Sequence, residues 1–201
     1  NYKASVDYAR YVFEMVKKME NLGERIDIID LGGGLGVDYT DNNISFDTKK
    51  YFIELKKLID EYGFTNKEFI LELGCYLVAS AGYYLSKIVD IKESKGYKHI
   101  ILAGGLNHIP TATLNGKHPF KIISMNQKKL YANQIEVIDE IVDIDGPLCT
   151  AEDKVLWDVY VEKAQIGDIV IIRQAGAYCY SAAWLEFLSH EYPVELIINN
   201  K

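Results

Sequence analysis

Residues 27–36 read Asp-Ile-Ile-Asp-Leu-Gly-Gly-Gly-Leu-Gly, an apolar run that stops at three consecutive glycines. The run has the length of a buried parallel strand. Glycines allow positive φ and let bare backbone N–H groups approach a ligand, and such loops at strand ends of α/β proteins commonly hold phosphate. The spacing differs from that of the dinucleotide fingerprint and of the P-loop. The stretch therefore fits either a phosphate-binding loop or an ordinary tight turn.

Composition excludes several classes of protein. The chain has 201 residues, of which 49% are hydrophobic and 25% charged, as in an ordinary globular protein. A net charge of −7 disfavours a general nucleic-acid or anionic-membrane surface. No apolar run approaches the roughly 18 residues of a membrane span. The three cysteines are odd in number and lack metal-ligand spacing, so we expect reduced thiols, a cytoplasmic protein and no metal site.

The first part of the chain has an α/β pattern. Apolar residues at helical spacing predict a helix over 3–22, with Ser5 as a candidate cap and Gly23 at its end. A second helical pattern opens at Asp47 and stops at Gly63. Strands are predicted over 26–31 and 68–72, between and after these helices. Helix, strand, helix and strand with short connections indicate a sheet with parallel strands.

After about residue 80 the chain becomes β-rich. Short strands separated by turns predict a β barrel or sandwich, with a short helix near 182–188; the predicted strands are 83–93, 99–102, 120–124, 134–143, 168–173 and 194–198. A closed (β/α)8 barrel needs eight strands, and the first part supplies two clear ones. We therefore expect an α/β plus β protein: residues 1–90 as the C-terminal part of such a barrel, its N-terminal half missing, and residues 91–201 as the β domain.

Two residues are candidates for chemistry from their position alone. Glu72 ends an otherwise apolar strand, where α/β folds place ligands, so it could pair with a cationic ring nitrogen or be a solvated strand end. Cys149 lies in the turn 145–150, an unusual place for a core cysteine. Its thiol could donate a proton or attack as thiolate, and an inert thiol fits the residues equally well.

Two further positions are less specific. Tyr178 lies in a small-residue loop after a predicted strand, where its hydroxyl could bind phosphate or its ring could simply pack. Asn107 and His108 follow two glycines at another strand end, and a lone histidine there is more often a structural hydrogen-bonder than a catalyst.

Five segments carry a family resemblance when they are taken in order. They are 30–36 (Asp-Leu-Gly-Gly-Gly-Leu-Gly), 72–75 (Glu-Leu-Gly-Cys), 104–108 (Gly-Gly-Leu-Asn-His), 146–149 (Gly-Pro-Leu-Cys) and 176–178 (Gly-Ala-Tyr). This order resembles the fold-type III decarboxylases dependent on pyridoxal 5'-phosphate (PLP), the diaminopimelate/ornithine/arginine group. The similarity is closest to the diaminopimelate-like branch, which includes decarboxylases of amino acids tethered to carrier proteins.

The resemblance implies α-decarboxylation of an amino acid held as an external aldimine, in a homodimer with shared active sites. The glycines would cradle the PLP phosphate, Tyr178 would add its hydroxyl, and Glu72 would keep the ring nitrogen protonated. Cys149 would reach into the partner subunit's site and protonate the carbanion left when CO2 departs. The implied cofactor residues are Gly32, Gly33, Gly34, Glu72, Gly74, Cys75 and Tyr178, and the implied substrate-binding residues are Asp153, Thr150, Asn107, Thr111 and Asn115.

Several positions depart from the family's pattern. Cys75 stands where the group has an arginine that clamps the phosphate, and losing such a charge-assisted pair costs roughly 1.5–3 kcal/mol. Thr111, Asn115 and Thr150 stand where the diaminopimelate enzymes have an Arg, a Tyr and a Glu that grip substrate. We therefore expect a substrate other than free diaminopimelate, and an aminoacyl carrier protein fits these losses by elimination.

The Schiff-base lysine of the group would lie before the point that corresponds to Asn1. We therefore expect this chain to be a C-terminal portion that is inactive alone. Two alternatives stay open: a decarboxylase homologue that has lost PLP and works by binding a partner, motivated by Cys75, and a small phosphate-binding α/β protein that rests on the glycine loop alone.

Overall fold

The computed structural model describes residues 1–39, 45–110, 118–125 and 134–199, and its contacts divide the chain into two units, Asn1–Ala79 and Ser80–Lys201. Strand β3 (Tyr83–Ser94) contains residue 90, the predicted end of the first domain, and lies wholly in the second unit. Among the residues described, no helix has both the length and the apolar character needed to cross a membrane.

The first unit alternates helices and strands as predicted. Its elements are α1 (Tyr2–Asn21), β1 (Ile28–Asp30), α2 (Thr48–Tyr62), β2 (Glu68–Ile70) and the one-turn helix α3 (Cys75–Val78). Strands β1 and β2 pair in parallel, with Ile28 opposite Glu68 and Asp30 opposite Ile70. The helices pack their apolar faces on these strands, and Phe13, Phe64 and Ile29 are fully or almost fully buried.

Local chemistry sets the ends of both long helices. The Asp47 carboxylate accepts the Lys50 N–H at 3.0 Å, and α2 ends at Gly63 in the left-handed conformation, as the sequence predicts. For α1 the predicted Ser5 cap is wrong: the Asn1 side chain caps the helix by accepting the Lys3 N–H at 3.1 Å. Ser5 lies inside the first turns of the helix because the periodic pattern already begins at Tyr2.

In the second unit, the described strands form one mixed sheet. They are β3, β4 (Tyr97–Leu102), β5 (Phe120–Ile123), β6 (Val137–Asp145), β7 (Lys154–Ala164) and β8 (Ile169–Arg173), in the spatial order β5-β8-β3-β4-β6-β7. All neighbours are antiparallel except β4 and β6, which run parallel with Ile101 opposite Asp145. One apolar core, including Ile88, Ile100, Ile144, Leu156 and Ile172, fills this unit.

The parallel β4–β6 pair positions the second set of candidate residues. Because both strands run the same way, their carboxyl ends reach the same edge of the sheet. The turn after β4, residues 103–110, and the turn after β6, residues 146–153, therefore emerge side by side. These two turns carry Asn107 and Cys149.

Three predictions about this half are wrong. Strand β7 was not predicted, although its alternation of valines with polar residues is a strand signal. Residues 194–198 form no strand, and their apolar side chains are 82% to 90% exposed. Strand propensity reports packing against a neighbour, and these residues have no ladder partner in the described parts of the chain. The helix near 182–188 is reduced to a single 3-10 turn, Phe187–Ser189.

Candidate functional site

The glycine loop and Glu72 lie together at the carboxyl end of the parallel pair. The β1–β2 ladder continues past both strands: the Leu31 N–H donates to the Ile70 carbonyl at 3.0 Å, and the Glu72 N–H donates to the Gly32 carbonyl at 2.8 Å. This main-chain pairing places residue 72 beside the first glycine of the loop. Glu72 is exposed, so its carboxylate is available to a ligand.

Gly33 makes the closest approach in this region. A Cβ on Gly33 would lie 2.3 Å from the Glu72 carbonyl oxygen, a separation that no real side chain adopts. Gly32 and Gly34 have φ of +64° and +83°, and within the described residues their missing Cβ positions face open space. The loop thus meets the strand end on one side and is open on the other.

This arrangement fits an anionic group such as the PLP phosphate. Asp30 already accepts the Gly32 N–H at 2.7 Å, which fixes the start of the loop and directs the N–H of Gly32 away from any ligand. Gly33 and Gly34 are exposed, and they offer the backbone that a phosphate would contact. Of the three predicted cradle residues, the structure therefore favours the last two.

The segment after Glu72 turns into the short helix α3. Gly74 is its N-cap, and Cys75, half-buried, is its first residue. The Gly74 N–H donates to the Glu72 carbonyl at 3.1 Å, so Gly74 helps to shape the strand end. Contact of Gly74 or Cys75 with a cofactor stays a prediction.

In the second unit, Cys149 is an exposed thiol in the turn between β6 and β7. Thr150, next to it, is half-buried and donates its hydroxyl hydrogen to the Glu152 carboxylate. A carboxylate therefore stays in this turn, two residues after the position at which the resemblance expected a glutamate. The exposure of Cys149 is what a proton donor to a bound substrate requires.

Asp153 and Asn107, both predicted to contact substrate, are buried. Asp153 is 3% exposed, and its two carboxylate oxygens accept the N–H groups of Leu106 at 2.5 Å and Leu148 at 2.7 Å. Burial raises the pKa of Asp153, although both hydrogen bonds act against that rise. Asn107 is 1% exposed, and its side-chain oxygen accepts the Gly105 N–H at 3.0 Å. Their observed partners are thus backbone groups of this chain.

His108 connects the same turn to the segment around Glu191. One ring nitrogen lies 3.1 Å from the Tyr84 hydroxyl and the other 2.9 Å from the Glu191 carbonyl oxygen. Burial raises the pKa of Tyr84 to about 12, so its hydroxyl stays protonated at neutral pH. These contacts agree with the structural interpretation of His108.

Tyr178 has an unusual backbone. Its φ is +64°, a conformation that costs energy in a residue with a large side chain, and such outliers concentrate at functional sites. The side chain is 57% exposed, so its hydroxyl is available to a ligand. Thr111 and Asn115 lie outside the described residues.

Comparison with known proteins identifies the family. The family model described as "Pyridoxal-dependent decarboxylase, C-terminal sheet domain" matches residues 11–176. The chain belongs to this family of pyridoxal-dependent decarboxylases. The predicted family and fold class, α/β followed by a β domain, are thereby confirmed, and the family depends on a pyridoxal cofactor, as predicted.

Two curated relatives act on different amino acids. The chain is 31% identical over 167 residues to 2-[(L-alanin-3-ylcarbamoyl)methyl]-2-hydroxybutanedioate decarboxylase of Staphylococcus aureus, with 82% of this chain and 42% of the relative covered. It is 32% identical over 206 residues to L-glutamyl-[BtrI acyl-carrier protein] decarboxylase of Niallia circulans, with 98% and 46% covered. The chain thus spans less than half the length of these two decarboxylases.

A solved structure shows the same fold. The diaminopimelate decarboxylase of M. jannaschii in complex with L-lysine superposes with a TM-score of 0.69 at 28% identity, and the match covers 91% of this chain and 41% of that one. The chain therefore has the fold of the matched part of that diaminopimelate decarboxylase.

Proposed function

We propose that the protein is a PLP-dependent amino-acid decarboxylase, a carboxy-lyase that acts as a cytoplasmic homodimer with shared active sites. In this proposal the first unit is part of a PLP-binding (β/α)8 barrel. The observation that carries the proposal is the hydrogen bond from Glu72 N–H to the Gly32 carbonyl, together with the close approach of Gly33. These contacts hold a carboxylate-bearing strand end against a glycine loop that can bind phosphate.

The residues of this chain have distinct roles in the proposal. Gly33 and Gly34 bind the cofactor phosphate through their backbone, and the Tyr178 hydroxyl adds a contact, as the family motif implies. The Glu72 carboxylate accepts a hydrogen bond from the protonated pyridine nitrogen and keeps the proton on that atom. When bound, PLP would supply an electron sink for the decarboxylation. Cys149 then delivers the thiol proton to the α-carbon in the partner subunit's site.

The substrate class is a finer proposal. We infer that the amino acid is carried on a protein as a thioester, because Thr150 removes one of the groups that would grip a free diaminopimelate. The similarity to a decarboxylase of L-glutamyl-acyl-carrier protein supports this inference, since that match covers 98% of the chain.

Titration of the natural full-length protein with PLP tests the cofactor, and CO2 release tests the reaction. We expect visible absorbance of lysine-bound PLP and CO2 release from an aminoacyl carrier protein, with little release from free diaminopimelate. Comparable kcat/KM on diaminopimelate would contradict the carrier-bound substrate. A protein that binds no PLP and releases no CO2 would instead be the partner-binding homologue that Cys75 suggests.

A further inference from the structure

Asp153 joins the two turns that leave the parallel β4–β6 edge. It lies immediately before β7 and is 3% exposed. One carboxylate oxygen accepts the N–H of Leu106 in the first turn, and the other accepts the N–H of Leu148 in the second. The Gly146 N–H also donates to the Asp153 carbonyl at 2.8 Å. A single residue thus bonds to both turns.

The fit around this carboxylate is tight. A Cβ on Gly105 would lie 2.2 Å from one carboxylate oxygen of Asp153, and a Cβ on Gly146 would lie 2.2 Å from the other. Glycines on both sides therefore leave room for the carboxylate and for little else. A side chain one methylene longer would displace the oxygens from the two N–H groups.

The bond to Leu148 determines where Cys149 stands. Leu148 is buried and immediately precedes the exposed thiol, so fixing the Leu148 N–H fixes the backbone from which the thiol projects. A proton donor must lie within hydrogen-bond reach of the atom it protonates. A displacement of about 1 Å can cost roughly 100-fold in rate.

We propose that Asp153 is a positioning residue, which holds the turn that carries Cys149 against the turn that carries Asn107, and that it does not contact substrate. This inference rests on the role proposed above for Cys149. The family resemblance implied that Asp153 binds substrate. The observed hydrogen bonds to Leu106 and Leu148 instead support a role in holding the two turns together.

The chain offers a matched control in Asp168. This carboxylate is 2% exposed and also accepts two backbone N–H groups, from Met125 and from Gln165, each at 3.0 Å. It lies in the same unit but bonds neither of the two turns. Asp168→Asn therefore reports the cost of disturbing a buried, bonded carboxylate without moving Cys149.

The test is a double-mutant cycle in the PLP-loaded full-length enzyme. We expect Asp153→Asn to lower kcat by roughly 10- to 100-fold with KM largely unchanged, and to have no further effect in a Cys149→Ala background. Asp168→Asn should lower the melting temperature similarly and keep kcat near wild type. Asp153→Glu, which keeps the charge but not the length, should not restore kcat.

Two kinetic results would overturn the proposal. One is an equal fractional loss of kcat from Asp153→Asn with and without Cys149. The other is a loss of kcat in Asp168→Asn as large as that in Asp153→Asn. If Cys149→Ala alone keeps wild-type kcat, the proposed role of Cys149 as proton donor fails. That outcome can be told apart from the two results that overturn the role of Asp153.

Hydrogen exchange tests the positioning independently of turnover and of variant folding. In the wild-type full-length protein, the amides of Leu106 and Leu148 should be protected. Asp153→Asn keeps one acceptor oxygen and replaces the other with an NH2 group, so it should release one of these amides, while Asp168→Asn releases neither. Rapid exchange of the Leu148 amide in the wild-type protein would show that Asp153 does not hold this turn.

Discussion

The Glu72 N–H donates a 2.8 Å hydrogen bond to the Gly32 carbonyl oxygen, two positions beyond the last paired residues of β1 and β2. Because the bond joins main-chain atoms, it does not depend on the glutamate side chain. A mutation can therefore remove the Glu72 carboxylate without breaking this bond, so the effects of the carboxylate and of the glycine loop can be measured separately.

A methyl group on Gly33 should disturb cofactor binding. In Gly33→Ala the new Cβ would meet the Glu72 carbonyl oxygen at 2.3 Å, so backbone must shift at a cost of about 1–3 kcal/mol. We expect PLP affinity of the full-length protein to fall by about tenfold or more, measured by absorbance titration. Gly36→Ala is the control, because its Cβ would meet the Phe46 side chain at an ordinary 3.8 Å. Its PLP affinity should equal that of the wild-type protein. Equal affinity of the two variants would show that the loop does not bind the phosphate.

Neutralising the Glu72 side chain should lower activity without changing the conformation of the glycine loop. Glu72→Gln keeps the backbone bond to Gly32 but loses a charge-assisted hydrogen bond to the ring nitrogen, so kcat should fall by roughly 10- to 100-fold. Glu68→Gln serves as a control, since Glu68 is an exposed carboxylate at the other end of the same strand. Steady-state CO2 release measures both. Wild-type rates in Glu72→Gln would remove this carboxylate from the mechanism.

Removing the Cys149 thiol should spare cofactor binding. Cys149 is exposed, so Cys149→Ala should fold and bind PLP normally while product formation falls by about 100-fold or more, the scale for a lost proton donor. Cys179→Ala is the comparison, because that thiol is buried in the core of the same unit and should affect stability rather than turnover. Unchanged product formation in Cys149→Ala would contradict the assignment.

Lys154 should stabilise the second unit in a pH-dependent way. Its ammonium pairs with the buried Asp143 carboxylate and lies 3.9 Å from Asp145. Burial pushes the pKa of Asp143 upward, but the Lys154 contact and the Asp158 N–H outweigh it, so the pKa is lowered in the folded protein. A lowered folded pKa contributes stability above the unfolded value of about 3.9, and that stability is lost as pH falls through the folded pKa.

Lys154→Met should therefore reduce the free energy of unfolding at pH 7 by about 1–2 kcal/mol, since Lys154 is partly exposed. The difference from wild type should shrink as the pH falls below about 4. Calorimetric unfolding across pH measures it, with Lys163→Met, an exposed lysine of the same strand, as the control. A difference that does not vary with pH would mean that the ion pair is not its source.

Sequence alone determined most of the first unit. Its helices end at Asn21 and Tyr62 because Gly23 and Gly63 adopt positive φ just beyond them, a property of single residues. The glycine loop and the carboxylate that ends the next strand were likewise predicted from neighbouring residues. Because β1 and β2 pair in parallel, the carboxyl ends of both strands lie side by side, and the glycine loop lies beside Glu72.

Tertiary structure decided what local pattern could not. The strand predicted over 194–198 is absent because strand propensity needs a partner strand. Asp153 and Asn107 are buried because β4 pairs in parallel with β6, which is not its neighbour in the chain, and their turns therefore close over one another. A polar residue in a turn is expected at the surface, and only long-range strand pairing supplies the backbone N–H groups that compensate its burial.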